Sequence, residues 1–255
     1  MNKMQSAMAL LAITGNVLMA GGDIVPVEPV VLEESVIDEW EFHASLNLWM
    51  PDIAIETAVG PTINLTFKDI LKNLDMTLMS TLGAQKGKWG FLADIVYLNI
   101  SKEIFVPVDP PLVLTGLQMK AWIVTPMVTY RFMESENLSL DVLAGARYLH
   151  IKTPTEVSYL VTGEPSGNAW DGIIGLRGKY DLNEKWFMPF HFDVGTGDID
   201  LTWQAYAGVG YKYENWDVVA GYRYLTWSFD KNDVGGEVFN DLTVNGPILG
   251  FKYHF

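Results

Sequence analysis

From Glu39 onward the chain alternates apolar and polar side chains, residue by residue, over one segment after another. In EWEFHASLNLW, Trp40, Phe42, Ala44, Leu46 and Leu48 share one parity, and Glu41, His43, Ser45 and Asn47 share the other. Successive side chains of a strand point to opposite faces, so such a segment is a strand with one apolar and one polar side. Trp89, Phe91, Ala93, Ile95 and Tyr97 oppose Asp94 in the same way, and Leu138, Leu140, Val142, Ala144, Ala146 and Tyr148 oppose Asp141 and Arg147. Trp170, Ile174, Leu176 and Tyr180 oppose Asp171, Arg177 and Lys179, while Trp186, Phe190, Phe192 and Val194 oppose His191 and Asp193. Trp203 and Tyr211 oppose Gln204 and Lys212; Trp216, Tyr222 and Tyr224 oppose Asp217 and Arg223; Phe251 and Tyr253 oppose Lys252 and His254. Residues 75–86 and 116–132 repeat the pattern less cleanly. The core of a soluble sandwich does not explain why charges of both signs occupy the second face on strand after strand. An apolar face turned to lipid explains it.

The connections supply direction. Short links at KGK, MESEN, LNEK and ENW alternate with longer ones at residues 101–115, 152–168 and 230–241, as periplasmic turns alternate with external loops in outer-membrane barrels. GTGDID is a short link where a long one is due. Traced back from the last strand, the alternation predicts an all-β protein, a transmembrane antiparallel up-and-down β-barrel of about 10 strands, with about 8 or 12 as the neighbouring possibilities. The first strand, residues 39–50, ascends from the periplasm, so residues 51–74 form an insert near the N-terminus that begins and ends outside. Within it Phe67, Ile70, Leu71 and Leu74 recur at helical spacing and Thr66 is placed to cap the first turn, which predicts a short helix acting as plug or lid. Twelve strands would require residues 53–65 to pair as a full strand and the lead-in to supply another.

At the N-terminus, Lys3 precedes the apolar run MALLAITGNVLMA, which ends in the small residues Ala20, Gly21 and Gly22. That order predicts a secretory signal peptide over residues 1–20. Residues 21–38, with Pro26, Pro29 and clustered acids, read as an extended periplasmic lead-in, leaving 39–255 as the barrel domain. The sequence contains no cysteine, which excludes disulfides and thiolate metal sites. A formal net charge of −14 argues against a nucleic-acid partner, because phosphates need a basic surface. The 9 Trp, 11 Tyr and 12 Phe are enough for two interfacial girdles. The candidates for the external girdle are Trp49, Tyr97, Tyr148, Trp170, Trp203 and Trp227, and for the periplasmic one Trp89, Tyr130, Tyr180, Trp186, Tyr211, Trp216 and Phe255.

The chain closes on GPILGFKYHF, with Phe251, Tyr253 and Phe255 on one face. This ending resembles the assembly signal of bacterial outer-membrane proteins. The resemblance implies periplasmic chaperones and the barrel-assembly machinery as partners during biogenesis. LTFKDILKNLDMTLMSTLGAQKGKWGFLADIVYLNIS and DIDLTWQAYAGVGYKYENWDVVAGYRYLTWSFD also resemble Gram-negative outer-membrane β-barrels in the style of outer membrane protein W and the small outer membrane protein A type. The likeness implies a fold, a location in the bacterial outer membrane and contact with its lipid, in a monomer. It carries over no catalytic residue.

The inward set holds the candidate chemistry. Asp94, Arg131, Asp141, Arg147, Asp171, Arg177, Asp193 and Arg223 form a predicted lumen charge network, since an unpaired charge in a narrow barrel is costly. Such a network either plugs the interior or gates a narrow passive channel for small polar solutes, the gate being those pairs or the 51–74 insert. A third reading is a structural or surface-contact protein without transport. His150 with Ser158 in the adjacent external loop could begin a lipid-acyl hydrolase site, but no second feature supports a triad and no enzymatic role is predicted. His43, His191 and His254 face inward on separate strands and read as hydrogen-bonding residues, with no metal or other cofactor expected.

Overall fold

The computed structural model describes residues 39–57, 62–68, 74–106, 112–152, 166–230, 233 and 239–255. The expected signal peptide and lead-in lie outside them. Twelve strands follow in chain order: β1 Glu41–Trp49, β2 Asp52–Thr57, β3 Ile63–Leu65, β4 Leu74–Lys86, β5 Trp89–Val106, β6 Leu112–Glu134, β7 Leu138–Lys152, β8 Ser166–Asp181, β9 Trp186–Gly197, β10 Leu201–Lys212, β11 Trp216–Ser228 and β12 Phe239–His254. β1 and β4 to β12 pair antiparallel with their neighbours and close on themselves where β1 meets β12. Ten strands therefore form the barrel and β2 and β3 extend it.

The seam explains the insert. β1 runs against β12 from His43↔His254 to Trp49↔Ile248, and β2 resumes at Asp52↔Asn245 in the same register. β1 and β2 are thus one ascending path along β12, interrupted at Met50–Pro51. Proline has no amide hydrogen to give to a ladder. On its other side this path leaves β4 after Leu46↔Ser80, and β2 then pairs with β3 instead. The predicted helical insert is corrected in part. Residues 52–57 and 63–65 are strands, only Phe67 and Lys68 have helical backbone among the described residues, Ile70 and Leu71 lie outside them, and Leu74 already belongs to β4.

The expected loop at 101–115 is also shorter than read. β5 and β6 pair with each other as far as Val106↔Leu112, well beyond the last β4 and β7 pairs at Leu74↔Ile100 and Lys120↔Lys152. The two strands keep their antiparallel ladder through most of the stretch expected to be a loop. The short turns do fall at KGK, MESEN, LNEK and ENW, and Gly87 takes the left-handed conformation (φ 53°) that the tight β4–β5 turn requires.

On the outer face, Phe42, Leu46, Leu48, Phe91, Val142, Ile174, Leu176, Phe192, Tyr222 and Phe251 are all exposed. Water would penalise so large an apolar surface, and lipid removes the penalty. Aromatic contacts ring both ends. Tyr97 meets Trp122 at 4.5 Å, Tyr148 meets Trp170 at 4.7 Å and Trp203 stacks on Tyr224 at 4.8 Å on the external side. Trp89 meets Tyr130 at 4.9 Å and Trp186 meets Tyr211 at 5.0 Å on the periplasmic side. A closed antiparallel barrel with this exterior is the architecture of the bacterial outer membrane. Two girdle assignments are corrected. Trp49 and Trp227 are 2% and 0% exposed and point into the barrel, because they share the parity of His43 on β1 and Arg223 on β11.

Candidate functional site

The interior is the site, and it is layered. At the periplasmic mouth Asp181 takes ion pairs from Lys212 at 2.7 Å and Lys179 at 3.2 Å, and both ammonium groups lie near the Phe187 ring. On the seam His254 reaches Asp217 at 2.8 Å, and its ring faces His43 across a centroid distance of 6.4 Å. Slightly deeper, Arg131 binds Asp141 at 3.0 Å while Arg177 approaches the same carboxylate at 3.9 Å. A small apolar layer of Leu92, Met127, Leu143 and Ile173 lies above them.

The middle of the barrel is a buried polar belt. The Arg147 guanidinium donates to Asp193 at 2.7 Å and to the Thr202 hydroxyl at 2.9 Å. Arg147 and Asp193 are both 0% exposed. The second Asp193 oxygen meets His191 Nε2 at 2.6 Å, so this carboxylate is held by groups from two directions. Arg223 reaches from β11 to Asp94 on β5 at 2.6 Å and donates twice to Gln204, while Thr81 donates to the other Asp94 oxygen at 3.1 Å. Since β5 and β11 are not neighbours in the sheet, the Arg223–Asp94 pair crosses the lumen. Gly175 faces Asp193 in the β8–β9 ladder, and a Cβ there would run into the Phe192 carbonyl and lie 2.7 Å from the Asp193 Cα. That close approach explains a glycine in mid-strand.

Above the belt the interior turns apolar. Trp49, Ile53, Ile55, Leu65, Met79, Val96, Leu98, Ile123, Leu149, Leu225, Trp227 and Val244 form one buried cluster with Ile199. Trp49 donates its indole N–H to the Gly246 carbonyl at 3.3 Å and lies 4.8 Å from the Arg223 guanidinium, joining this layer to the belt. Asp171, expected in the charge network, does different work. Its carboxylate accepts the Ile199 amide at 3.0 Å and folds the β9–β10 turn inward, so that Ile199 is fully buried. The anomalously short GTGDID link is therefore a cap over the apolar layer.

Of the eight predicted network residues, seven are ion-paired, in three separate groups instead of one web: Arg131, Asp141 and Arg177; Arg147 with Asp193; Arg223 with Asp94. Sequence reasoning missed the apolar layer, although the parity of Trp49, Ile53, Ile55, Leu225 and Trp227 carried the signal. His150 lies on the outer face with Nδ1 hydrogen-bonded to Asn168 Oδ1, and Ser158 is outside the described residues. No group of three histidine or acidic residues among the described residues converges as a metal set.

No protein-family model matches the chain, and no curated protein matches it. The likeness to outer membrane protein W- and A-type barrels therefore stays one of style. Among solved structures the chain is similar to the outer membrane protease OmpT from Escherichia coli, at 11% identity and a TM-score of 0.46 over 86% of this chain and 97% of that one. It is similar to Neisserial surface protein A at 14% identity and a TM-score of 0.37, over 85% of this chain and 97% of that one. It is also similar to Ail, the attachment invasion locus protein of Yersinia pestis, at 12% identity and a TM-score of 0.39, over 86% and 99%. At this level of likeness nothing about activity carries over.

Proposed function

We propose that this protein is a bacterial outer-membrane barrel with a closed interior, whose role is to hold its external strands at the cell surface, not to pass solutes. The complete burial of Arg147 and Asp193 in mid-lumen, beneath an apolar layer capped by Ile199, carries this reading. An open pore would hydrate that pair. Proteoliposomes containing the refolded chain are expected to swell no faster in arabinose than empty vesicles. Swelling in proportion to protein content would favour the narrow-channel reading instead.

The same proposal includes removal of residues 1–20 as a signal peptide, a periplasmic lead-in at 21–38 and a monomeric barrel. It also gives Phe251, Tyr253 and Phe255 the role of an assembly signal read by the barrel-assembly machinery. All three are exposed on the outer face, and the Phe255 amide donates to the Phe42 carbonyl across the seam at 3.0 Å. Deleting Phe255 is expected to leave refolding into lipid vesicles nearly unchanged, while in cells the chain accumulates unassembled in the periplasm. Normal assembly of the deleted chain would remove the signal role.

A further inference from the structure

The lipid-facing wall of the barrel is indented on one side. Each of five successive strands presents a small outward residue there: Ala44 on β1, Ala84 on β4, Ala93 on β5, Pro126 on β6 and Ala144 on β7. These residues line a recess of about 670 Å³, edged by the exposed side chains of Phe42, Leu82, Phe91 and Phe255. The ladders fix the arrangement. Leu82 stands between Ala44 and Ala93, and Ala84 between Phe42 and Phe91, so large and small side chains alternate along both rows. Pro126 has no amide hydrogen to donate, and the β6–β7 ladder passes from Val124↔Tyr148 to Met127↔Gly145 without it. In lipid a lost ladder hydrogen bond is costly, so barrel stability alone does not account for a mid-strand proline at this place.

Position and chemistry identify what fills it. The recess is continuous with the lipid-facing exterior and lies in its periplasmic half: the Trp89–Tyr130 girdle contact is one outward row below Phe91↔Val128. Its lining side chains are apolar apart from His43, whose ring turns inward over Gly83. An unfilled recess forfeits dispersion contacts along its whole lining. A stable protein partner needs about 800 Å² of contact on each side, together with polar groups that set its register, and a single narrow recess supplies neither. Five strands about 4.8 Å apart cover about 19 Å, of the same order as the about 15 Å that a lipid chain spans in one leaflet.

We propose that this recess holds one acyl chain of a phospholipid from the leaflet on the periplasmic side, lying obliquely across β1 and β4 to β7 as a fixed lipid. The inference rests on the outer-membrane reading above. A chain gains no hydrophobic free energy on leaving the bilayer for the recess, since both are apolar. What it gains is close packing against several walls at once, the interaction that also holds transmembrane segments together. Recognition is therefore of the chain and not of the headgroup.

The test uses the full mature chain, refolded with dipalmitoyl phosphatidylglycerol, transferred to detergent and checked for heat-modifiable migration, with lipid adducts counted by native mass spectrometry. The wild type is expected to carry one lipid through the transfer. A93F/A144F, which fills two of the small positions, is expected to lose it. Both side chains face lipid, so the fold is not threatened, and A205F/A220F, also outward but on β10 and β11, is expected to keep the adduct. Dihexanoyl phosphatidylglycerol, with the same headgroup on short chains, is expected not to be retained. Equal retention by A93F/A144F, loss from A205F/A220F as well, or full retention of the short-chain lipid would overturn the site. A dimer mass in the wild type that becomes a monomer in A93F/A144F would give the recess to a second copy instead. A wild type that migrates as a folded barrel yet carries no lipid would also overturn the proposal, whereas one that never migrates as a folded barrel would sink the outer-membrane reading itself.

Discussion

Asp193→Ala is expected to destabilise the barrel by about 3–5 kcal/mol, the cost of leaving a buried charge without its partner. Arg147 has no exposure and its second acceptor is the neutral Thr202 hydroxyl, so the orphaned guanidinium would stay buried beside a neutral group. Replacing both groups, as Arg147→Met with Asp193→Leu, is expected to recover most of that loss, because apolar side chains of similar size often substitute for a buried ion pair without penalty. Urea titration in lipid vesicles, followed by tryptophan fluorescence, gives both numbers. A single-variant loss below about 0.5 kcal/mol, the size typical of exposed pairs, would mean that the pair is hydrated and the belt is wet.

Trp49→Ala carries the next largest expected effect, again about 3–5 kcal/mol, as for a large aromatic removed from a packed core. The indole fills the junction between β1 and β2, donates to the Gly246 carbonyl and covers the Arg223 guanidinium, so three contacts go with one side chain. Leu48, its neighbour in sequence, points outward and is 52% exposed, and Leu48→Ala is expected to cost much less in the same titration. If the two variants lost equal stability, Trp49 would belong to the lipid girdle and not to the interior.

That pair of neighbours also shows what the sequence made legible. Alternation is a backbone property of strands, so the outward positions from Trp40 to Phe251 and the inward charges on β5 to β11 were readable from parity alone. The same parity already placed Trp49 and Trp227 inside. Large aromatics near strand ends suit an interfacial girdle as well as a core, and here burial follows parity. The strand count was legible because turns and loops alternate. The seam was not, because Pro51 breaks the alternation at the one point where a strand continues in register beyond it. Helical spacing at Phe67, Ile70, Leu71 and Leu74 was a weak signal over so short a stretch, and Leu74 is claimed by the β4 ladder. Which arginine meets which carboxylate depends on the stagger between strands that are distant in the sheet. Arg223 and Asp94 are 129 residues apart, and no local pattern links them.

The central claim is that the interior is closed by packed side chains. Current through a planar bilayer containing the refolded wild type, recorded beside the Arg147→Ala/Asp193→Ala/Trp49→Ala variant, tests it most directly. The account predicts a silent wild type, with discrete openings confined to the variant whose belt and apolar layer have been hollowed. Steady single-channel openings in the wild type would contradict it.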